Sequence, residues 1–492
     1  MHRTKTSFLA FFAFAASNVA NLSWADDQSS RVIDSDSPNQ RLNIVFILVD
    51  DLGKEWIQCY GGEDIQTPHI DDLAATGMKF TNAYSMPQCT PSRACFLTGQ
   101  YPFRNGWVNH WDVPRWGVGY FDWKLNPCIA NALKAAGYQT AIAGKWQIND
   151  FRVHPNCLVE MGFDEFCMWT GCETDPDNRD HERRSTRRYW DPYIHTKQGS
   201  RTYDGQFGPD IYNQFVLDFI TKNSDRPFFV YYPMALTHTP LVHTPLEPNA
   251  TTPIDKHKAM VRYTDHLLGK LTDHLNTLGI REQTLIIWTT DNGTARGIKN
   301  HRNGRLVDGG KGRTTENGVN APFIANCPQV IPRGTTTDAL VDFTDLYPTF
   351  SKLAGLETSA KHKLDGFPFD DVLNGSCTDS NRRWIMAMGG QPGVATEAGI
   401  ENVFRFRDRV IRDKQFKLFI DSQRTPQKLI DLANDPKEET DLKDSPEHIA
   451  IAKRLSSVID LFPEIDADPK YARVKYPAYK KTNLESQRHK KP

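Results

Sequence analysis

Four apolar runs along the chain each end in a short group of polar residues. The runs are rich in β-branched and aromatic side chains and lack a regular apolar–polar alternation, which is typical of strands buried on both faces of a sheet. They cover residues 42–49, 139–143, 228–235 and 285–290. Helical segments lie between them, and this alternation predicts an α/β fold with a large parallel or mixed sheet sandwiched by helices.

Two of the intervening segments carry helix signals. Asn126 and Pro127 are typical of a helix start and Gly137 of a helix end, so we predict a helix between them that Asn126 caps. Residues 256–278 have apolar side chains at helical spacing, which predicts a helix with one face in the core. That face consists of Met260, Tyr263, Leu267, Leu268, Leu271, Leu275 and Leu278.

The polar groups that end the four runs predict one composite site. In open α/β sheets, ligands gather at the carboxyl ends of the strands, and each of these groups falls at such an end. They are Asp50 and Asp51, Lys145 to Gln147, Thr237 and His238, and Asp291 and Asn292.

The composition changes towards the C-terminus, which divides the chain into two predicted domains. Residues 374–381 are linker-like, and residues 404–420 alternate basic with apolar side chains, as in strands of a small antiparallel sheet. A helix is predicted near residues 448–461. We therefore expect a catalytic domain over 42–375 and a C-terminal α+β domain with a basic tail over 376–492.

Residues 1–25 have the layout of a secretory signal peptide. Basic residues precede an apolar run at 8–16, and Ser23 and Ala25 are small side chains before a cleavage point. The run is too short to span a bilayer, so we predict an exported protein, periplasmic or secreted, without a membrane span after cleavage. A retained N-terminal anchor is the alternative, and residues 26–41 form a polar segment before the first strand.

Length and charge narrow the class of protein. The chain has 492 residues, more than one hydrophobic core usually organises, with 59 basic and 60 acidic side chains and a net charge of −1. With this balance, the net charge of the protein does not indicate electrostatic attraction to nucleic acid or to a membrane surface. The sequence has no C-x-x-C pair that would indicate a zinc site.

The segment Cys89-Thr90-Pro91-Ser92-Arg93 carries the most specific chemical signal. Cysteine with proline at the second position after it and arginine at the fourth resembles the maturation signature of type I sulfatases, of the arylsulfatase A-like kind. The resemblance implies that a formylglycine-generating or equivalent maturase oxidises Cys89 to formylglycine, whose hydrated aldehyde is the nucleophile. An isolated match of this kind would more often be a structural cysteine beside a helix that a proline starts.

Other motifs extend the resemblance to about residues 42–461. Gly144-Lys145-Trp146 and the glycine-rich segment 309–318 match family motifs, as do segments 342–349 and 428–436. The resemblance implies the alkaline-phosphatase-like fold, with a smaller C-terminal antiparallel-sheet domain.

Asp50, Asp51, Asp291 and Asn292 are candidate metal ligands from two strand ends. Carboxylate and amide oxygens without thiolate or imidazole suit Ca²⁺ or Mg²⁺. The resemblance implies calcium, with an oxygen of the modified Cys89 completing the site. Asp50 and Asp51 taken alone would also suit a turn or a helix cap.

A sulfate ester is an anion, and the chain supplies cations that would bind it. The resemblance implies that Arg93 contacts the hydrated aldehyde and that Lys145 and Lys311 contact the sulfate group. It also implies that His238 donates to the leaving oxygen. In the implied mechanism one hydroxyl attacks sulfur, the alcohol leaves protonated through His238 or Lys311, and the second hydroxyl collapses to the aldehyde and expels sulfate. Lys145, Gln147, His238 and Lys311 are the candidate substrate-binding residues.

Gln147 is the main departure from the family pattern, which has a histidine after Gly-Lys-Trp. That histidine normally orients the formylglycine oxygen, whereas a glutamine amide forms hydrogen bonds but moves no proton near neutral pH. Elimination therefore uses another base, or the pocket fits another substrate geometry. Residues 317–320 also depart from the pattern, with Asn-Gly-Val-Asn for the commoner Gly-Gly-Val-Arg.

The insertion at residues 173–203 is rich in arginine and aromatic side chains, which suit an anionic carbohydrate or else a solvated surface loop. These side chains are Arg179, Arg183, Arg184, Arg187, Arg188, Tyr189 and Trp190.

The pairing of the cysteines is a second open question. The chain has nine, and modification of Cys89 would leave eight. Cys157, Cys167 and Cys172 are close enough to staple a loop, but sequence does not give the pairing.

Three functions therefore remain open. The first is an exported, calcium-dependent sulfatase acting on a sulfated sugar or an aryl sulfate. The second is a phosphodiesterase or phosphonate hydrolase of the same superfamily, enzymes that usually carry extra metal-binding histidines. The third is a sulfated-glycan binder left inactive because Cys89 is not modified. The sequence leaves open the sulfated substrate, the sulfate position, exo or endo action and the oligomeric state.

Overall fold

The computed structural model describes residues 41–108, 120–121, 123–148, 151, 156–169, 187–357, 362–390, 393–396, 399–402, 405–468 and 471–472. The predicted signal peptide, most of the basic tail and much of the insertion at 173–203 lie outside these ranges. So do Cys172, Arg179, Arg183 and Arg184. What the sequence predicts for them stays a prediction.

The strands of the described chain are numbered here in chain order. They are β1 (Asn43–Val49), β2 (Met78–Phe80), β3 (Ala83–Tyr84), β4 (Tyr120–Phe121), β5 (Gln139–Lys145), β6 (Glu165–Trp169), β7 (Tyr193–Thr196), β8 (Gly199–Thr202), β9 (Phe228–Pro233), β10 (Thr284–Thr290), β11 (Lys299–Arg302), β12 (Arg305–Asp308), β13 (Phe323–Asn326), β14 (Thr335–Thr337), β15 (Val341–Asp342), β16 (Ile385–Met388), β17 (Gly393–Thr396), β18 (Gly399–Asn402), β19 (Arg409–Arg412), β20 (Phe416–Ile420), β21 (Pro426–Asp431) and β22 (Tyr471–Ala472).

Ten of these described strands form one sheet, in the order β14-β2-β13-β10-β1-β9-β5-β6-β7-β8. The central strands β10, β1, β9, β5 and β6 run parallel, while β13 and β7 pair antiparallel with their central neighbours. The predicted mixed sheet is confirmed, and the four apolar runs are its central strands β1, β5, β9 and β10. Their bounds differ from the predicted ones by at most two residues, and β5 continues to Lys145.

Helices fill the connections between these strands. The α-helices of the described ranges are Pro68–Ala75, Cys89–Thr98, Pro102–Asn105, Ile129–Ala135, Cys157–Glu160, Gly208–Lys222, Pro253–Thr277, Glu316–Val319, Leu346–Leu353, Asp370–Leu373 and Ile449–Ser456. Short 3₁₀ helices cover Lys54–Trp56, Gln58–Tyr60, Phe343–Asp345 and Ser457–Leu461.

The two helices singled out in the sequence are present with changed bounds. The first is Ile129–Ala135, with Cys128 at its N-cap and no side-chain cap, so the predicted Asn126 cap is wrong. Gly137 follows it with a φ of 90°, a conformation that glycine adopts without strain. The second helix, Pro253–Thr277, is capped by the Thr252 side chain, which accepts from the Asp255 amide at 3.2 Å.

Apolar side chains cover both faces of the sheet, which explains the continuous apolar runs. Successive β1 side chains point to opposite faces, so Ile44, Phe46 and Leu48 lie in one buried cluster and Val45, Ile47 and Val49 in the other. Helices Cys89–Thr98 and Leu346–Leu353 pack on the first face, where Phe96 and Phe350 contact Phe46. The predicted apolar stripe of helix Pro253–Thr277 packs on the second face.

The C-terminal part contains the smaller antiparallel sheet that was predicted, with the order β16-β19-β20-β21. The basic–apolar segment 404–420 supplies β19 and β20. Helix Ile449–Ser456 packs against β20 and β21, at the position predicted from residues 448–461. The domain boundary at residue 375 stays a prediction. Among the residues described, no helix is long and apolar enough to cross a membrane.

Candidate active site

The carboxyl ends of the central strands are joined by hydrogen bonds that continue beyond the strands themselves. The Asp291 amide donates to the Val49 carbonyl at 2.9 Å, and the Asp50 amide donates to the Leu236 carbonyl at 2.7 Å. The Thr237 amide donates to the Asp50 carbonyl at 2.6 Å. These bonds bring the polar groups after β1, β9 and β10 to one point at the edge of the sheet.

Cys89 is the first residue of helix Cys89–Thr98 and is fully buried. Its Sγ lies 3.2 Å from Asp50 Oδ1, 3.7 Å from Asp51 Oδ1 and 3.4 Å from Lys145 Nζ. Pro91 stands in the first turn, where its missing N–H leaves no helical hydrogen bond unmade. The helix therefore presents the side chain at position 89 to two carboxylates and one ammonium group.

Arg93 lies one helical turn after Cys89 and is fully buried. Its Nη2 and Nε donate to Asp291 Oδ2 at 2.7 and 3.2 Å, and its Nη1 donates to the Lys145 carbonyl at 2.7 Å. Arg93 thus connects the helix to the ends of β10 and β5. Such a charge-assisted pair is rigid, because the guanidinium has several donors in a fixed geometry.

Three further cationic or ionisable side chains surround the two aspartates. Lys145 Nζ forms a buried ion pair with Asp50 Oδ2. Lys311 Nζ pairs with Asp51 Oδ2 at 2.6 Å, and 23% of the Lys311 side chain is exposed to solvent. His238 Nε2 lies 3.6 Å from the same Asp51 oxygen, and its Nδ1 lies 2.7 Å from the Thr239 carbonyl oxygen. Lys311 and His238 therefore lie on the accessible side of the site.

The four predicted metal ligands are brought together and buried. Asn292 Nδ2 donates to Asp51 Oδ1 at 2.8 Å, and the Asp51 amide donates to Asp291 Oδ1 at 3.2 Å. Asn292 Oδ1 is buried and has no hydrogen-bond partner among the described residues. Asp50, Asp51, Cys89 and His238 also offer ligand atoms that lie within 4.8 Å of one another.

Burial and charge act in opposite directions on the carboxyl groups. Burial raises the pKa of Asp50, but Lys145 and the neighbouring cations outweigh it and hold the pKa well below its ordinary value. At Asp291, burial and the charge of Asp50 prevail over Arg93 and raise the pKa to about 7. Asp50 is therefore firmly ionised, whereas the neighbouring cations do not fully offset the cost of ionising Asp291.

The same effects act on the other side chains of the site. Burial raises the pKa of Cys89 well above its ordinary value, and Asp291 and Asp50 add to the increase. Cys89 is therefore a thiol and not the thiolate that attacks efficiently. Burial, followed by Lys145, lowers the pKa of His238 to about 3, so its ring is neutral at neutral pH.

Gln147 lies beside the helix that begins at Cys89. Its backbone carbonyl accepts from Thr90 Oγ1 at 3.2 Å, and its φ is 60°. A non-glycine residue in this left-handed region is uncommon, and here it turns the chain directly after β5. The structure places Gln147 at the edge of the site, where the resembled family has histidine.

The other departure, Asn320, is part of a polar cluster beneath the Lys311 loop. Its Oδ1 accepts from Lys54 Nζ at 2.7 Å, and its Nδ2 donates to Glu316 Oε2 at 2.8 Å. Lys54 is buried and also donates to the Thr81 carbonyl at 2.9 Å. Sequence reasoning missed Lys54, whose position three residues after Asp51 was its only signal.

Two hydroxyl groups to which the sequence assigned no role hold the site together. Thr237 Oγ1 donates to the Asp51 carbonyl at 3.1 Å. Ser92 Oγ accepts from the Met86 amide at 2.9 Å and donates to the Asp291 carbonyl. Both residues lie inside motifs that were noted, but single hydroxyls carry no pattern that would distinguish them.

The described cysteines are not paired in disulfides. Cys157 and Cys167 are both buried and form no disulfide with each other, and Cys172 lies outside the described residues. The even count that remains after Cys89 therefore does not reflect a disulfide framework among the described cysteines.

Comparisons with known proteins identify the family. The sulfatase family model matches residues 42–356, and the model described as N-sulphoglucosamine sulphohydrolase, C-terminal, matches residues 311–462. The chain is 33% identical over 360 residues to the N-acetylgalactosamine-6-sulfatase of Canis lupus familiaris, an alignment that spans 68% of this chain and 67% of that one. It is 26% identical over 504 residues to the ulvan-active sulfatase of Formosa agariphila, and that alignment spans 92% of this chain and 86% of the other.

Solved structures show the same relationship. The crystal structure of Ps i-CgsB is 26% identical, with a TM-score of 0.73, and the match covers 92% of this chain and 98% of that one. The chain belongs to the sulfatase family and has its alkaline-phosphatase-like fold. It is a sulfatase, a hydrolase of sulfate esters.

Proposed function

We propose that this sulfatase is a formylglycine-dependent, calcium-binding enzyme that removes sulfate from a sulfated carbohydrate. The position of Cys89 carries the proposal. The side chain is buried at a helix start, 3.2 Å from Asp50 and 3.4 Å from Lys145. A group at this position contacts a carboxylate of the candidate metal site and a cation of the candidate sulfate site together.

An unmodified Cys89 fits the chemistry poorly, because its raised pKa keeps it protonated. A hydrated aldehyde at this position would supply two hydroxyls on one carbon, one to attack sulfur and one to release sulfate. Lys145 would hold the oxygen at position 89, and Arg93, fixed by Asp291, would keep positive charge beneath it. A formylglycine-generating or equivalent maturase is the partner that this modification requires.

Asp50, Asp51, Asp291 and Asn292 fit a hard divalent cation. The unpartnered Oδ1 of Asn292 is an oxygen that such an ion would engage. The pKa of Asp291 is raised to about 7 because too little positive charge lies near its carboxylate, and a bound cation would supply that charge. Carboxylate and amide oxygens in this mixture suit Ca²⁺ better than Mg²⁺, which prefers to keep several waters. The bound ion would neutralise negative charge near the sulfate ester.

The sulfate group would lie between Lys145 and Lys311, on the side of the site where His238 stands. Lys311 is engaged by Asp51 at 2.6 Å, whereas His238 Nε2 lies 3.6 Å from that carboxylate. We therefore assign sulfate binding to the two lysines and donation to the leaving oxygen to His238. Its ring is neutral in the empty site, so it would take up a proton when the anionic substrate binds, before it donates one to the leaving oxygen. Gln147, whose backbone carbonyl accepts from Thr90 next to Cys89, would contact the substrate without moving a proton.

Several relatives support a carbohydrate substrate, although the arylsulfatase A of Homo sapiens is also similar, at 32% identity over 360 residues. The similar chains include an N-acetylgalactosamine-6-sulfatase and an ulvan-active sulfatase. A second crystal structure of Ps i-CgsB, 25% identical with a TM-score of 0.72, is a complex with k-i-k-neocarrahexaose. Export of the protein, by the predicted signal peptide at 1–25, would bring it to polysaccharide outside the cytoplasm. The phosphonate hydrolase alternative has weaker support, since the similar structure of that kind is 18% identical.

The test is sulfate release from a substrate panel by protein co-expressed with a formylglycine-generating enzyme. The panel contains neocarra-oligosaccharides, ulvan oligosaccharides, N-acetylgalactosamine 6-sulfate and 4-nitrocatechol sulfate. We expect release from at least one carbohydrate and its loss in Cys89→Ala. Cys95→Ala is the matched control, because Cys95 is also fully buried in the same helix. Retained turnover in Cys89→Ala would contradict the formylglycine assignment, and would restrict this chain to another sulfatase chemistry.

A further inference from the structure

Arg188, in the arginine-rich insertion, is a buried cation that the proposed catalysis does not use. It is only 7% exposed, and its Nε and Nη1 have no hydrogen-bond partner among the described residues. Its guanidinium lies 3.9 Å from the centroid of the Trp169 ring. A buried guanidinium nitrogen without an acceptor is unfavourable. The stacking on Trp169 accounts for the orientation of the guanidinium but leaves Nε and Nη1 without an acceptor.

Two contacts place Arg188 beside the active site. Trp169 is the last residue of β6 and is the register partner of Lys145 at the end of β5. Tyr189, the residue after Arg188, donates its hydroxyl to the carbonyls of Ala235 and His238. Arg188 is therefore held next to the strand end that carries Lys145 and next to the loop that carries His238.

The charges around Tyr189 agree with this placement. Burial raises the pKa of Tyr189, and the charges that also act on its hydroxyl include Arg188, Asp50, Asp51 and Lys311. Trp190 adds a further anchor, because its Nε1 donates to the His243 carbonyl at 3.1 Å. The segment that carries Arg188 is thus fixed against the active-site loops at two successive residues.

We propose that Arg188 binds a second anionic group of the sulfated carbohydrate, adjacent to the sulfate that is hydrolysed. A planar guanidinium with unpartnered nitrogens matches the oxygens of a sulfate or carboxylate group, and it would bind them through charge-assisted hydrogen bonds from Nε or Nη1. The Trp169 ring beneath it keeps the guanidinium plane fixed before the ligand arrives. Arg188 is then a determinant of specificity for multiply charged sugars, and this role rests on the proposed carbohydrate function.

The test compares two disaccharides that differ by one sulfate on the neighbouring sugar, the kappa and iota forms of neocarrabiose. Binding is measured by calorimetry in the Cys89→Ala background, so that no turnover is required. We expect Arg188→Met to weaken the binding of the doubly sulfated ligand about 10- to 100-fold, the loss typical of hydrogen bonds to a charged group. The affinity for the singly sulfated ligand should fall several-fold less.

Arg201→Met is the matched control, because Arg201 is exposed and also stacks on an aromatic ring, that of Tyr203 at 4.4 Å. It should keep the preference for the doubly sulfated ligand. If Arg188→Met is unstable, Arg188→Lys takes its place; a lysine keeps the charge but not the paired donors and should lose part of the preference. Melting temperatures of all variants establish that they fold.

An equal loss for both ligands in Arg188→Met, or no loss, would overturn the inference. So would the absence of any preference for the second sulfate in the parent protein. These outcomes are separate from failure of the proposed function. A parent protein that prefers the doubly sulfated ligand through Arg188 but never releases sulfate would contradict the proposed catalysis alone, and sulfate release without an Arg188-dependent preference would contradict this inference alone.

Discussion

Arg93 and Asp291 form a fully buried ion pair, with Arg93 Nη2 2.7 Å from Asp291 Oδ2. The pair connects the helix that begins at Cys89 to the end of β10, so the positions of the candidate nucleophile and of the candidate metal ligands are coupled. The pKa of Asp291 is still raised to about 7, since burial and Asp50 outweigh Arg93. One arginine is therefore too little positive charge for this group of carboxylates.

Removal of the Asp291 carboxylate should release the bound cation. Asp291→Ala removes a carboxylate ligand and the main ion-pair partner of Arg93, which keeps only the Lys145 carbonyl and the more distant Asp50. We therefore expect calcium affinity to fall by about 100-fold or more, beyond the loss typical of residues that only orient metal ligands. Elemental analysis of the purified variant checks this. Asp218→Ala, which removes an exposed carboxylate, should keep the wild-type metal content, and full calcium occupancy in Asp291→Ala would exclude the proposed site.

The role of His238 predicts a dependence on the leaving group. A sugar alcohol needs a proton as it leaves, whereas 4-nitrocatechol is a good leaving group without one. His238→Ala should therefore reduce kcat on a sugar sulfate by about 10²–10⁴-fold, the usual contribution of general acid catalysis, and much less on 4-nitrocatechol sulfate. Lys311→Ala should affect both substrates alike through KM. Equal losses on the two substrates for His238→Ala would assign the histidine to binding.

Gln147 predicts an unusual pH–rate profile. Glutamine does not titrate, so a profile of kcat/KM should lack one imidazole ionisation that a histidine at this position would add. Gln147→His should introduce an ionisation between about pH 6 and 8, without necessarily raising activity. Gln147→Ala separates loss of the amide from gain of the imidazole. Superimposed profiles for all three proteins would place residue 147 outside the active site.

Glu316 predicts how stability depends on pH. Burial opposes ionisation of Glu316, but Arg412 and Lys417, at 2.7 and 3.1 Å, prevail and hold its pKa far below the ordinary value. A carboxyl group with a lowered pKa in the folded state stabilises the fold at pH values above its unfolded pKa of about 4.3, and this contribution is lost as the pH falls towards the folded pKa.

Glu316→Gln should therefore lower the free energy of unfolding by about 2–4 kcal/mol at pH 7, because it leaves the buried Arg412 without its carboxylate and leaves Lys417 paired with Glu438 alone. The difference from wild type should shrink when denaturant unfolding is repeated below about pH 4, since Glu316 begins to protonate in the unfolded chain there. Glu447→Gln, at an exposed position, should match wild type at both pH values. A difference that does not change with pH would assign the effect of Glu316 to packing.

The sequence predicted the central strands and the polar groups at their ends, because both follow from local patterns. Buried parallel strands require continuous apolar runs, and Asp50, Lys145 and Asp291 each stand at or just after such a run. The cap of helix Ile129–Ala135 was predicted wrongly, since Asn126-Pro127 looks like a start although the backbone enters the helix only after Cys128.

Contacts between segments that are distant along the chain could not be predicted from the sequence. The bond from Tyr189 to the His238 carbonyl joins residues 49 positions apart, and the Glu316–Arg412 pair joins residues 96 apart. Neither contact has a local signature, because each depends on how an insertion or the C-terminal sheet packs on the large sheet. The unpartnered donors of Arg188 likewise become visible only when burial and hydrogen bonds are known.

The chemical state of residue 89 tests the central claim most directly. The measurement is mass spectrometry of the peptide that contains Cys89, from preparations with and without a co-expressed formylglycine-generating enzyme, set against the rate of sulfate release from one substrate. We predict that the fraction of aldehyde at position 89 and the specific activity rise in proportion, with no activity when the fraction is zero. Equal activity in preparations that contain only the unmodified Cys89 thiol would contradict the claim.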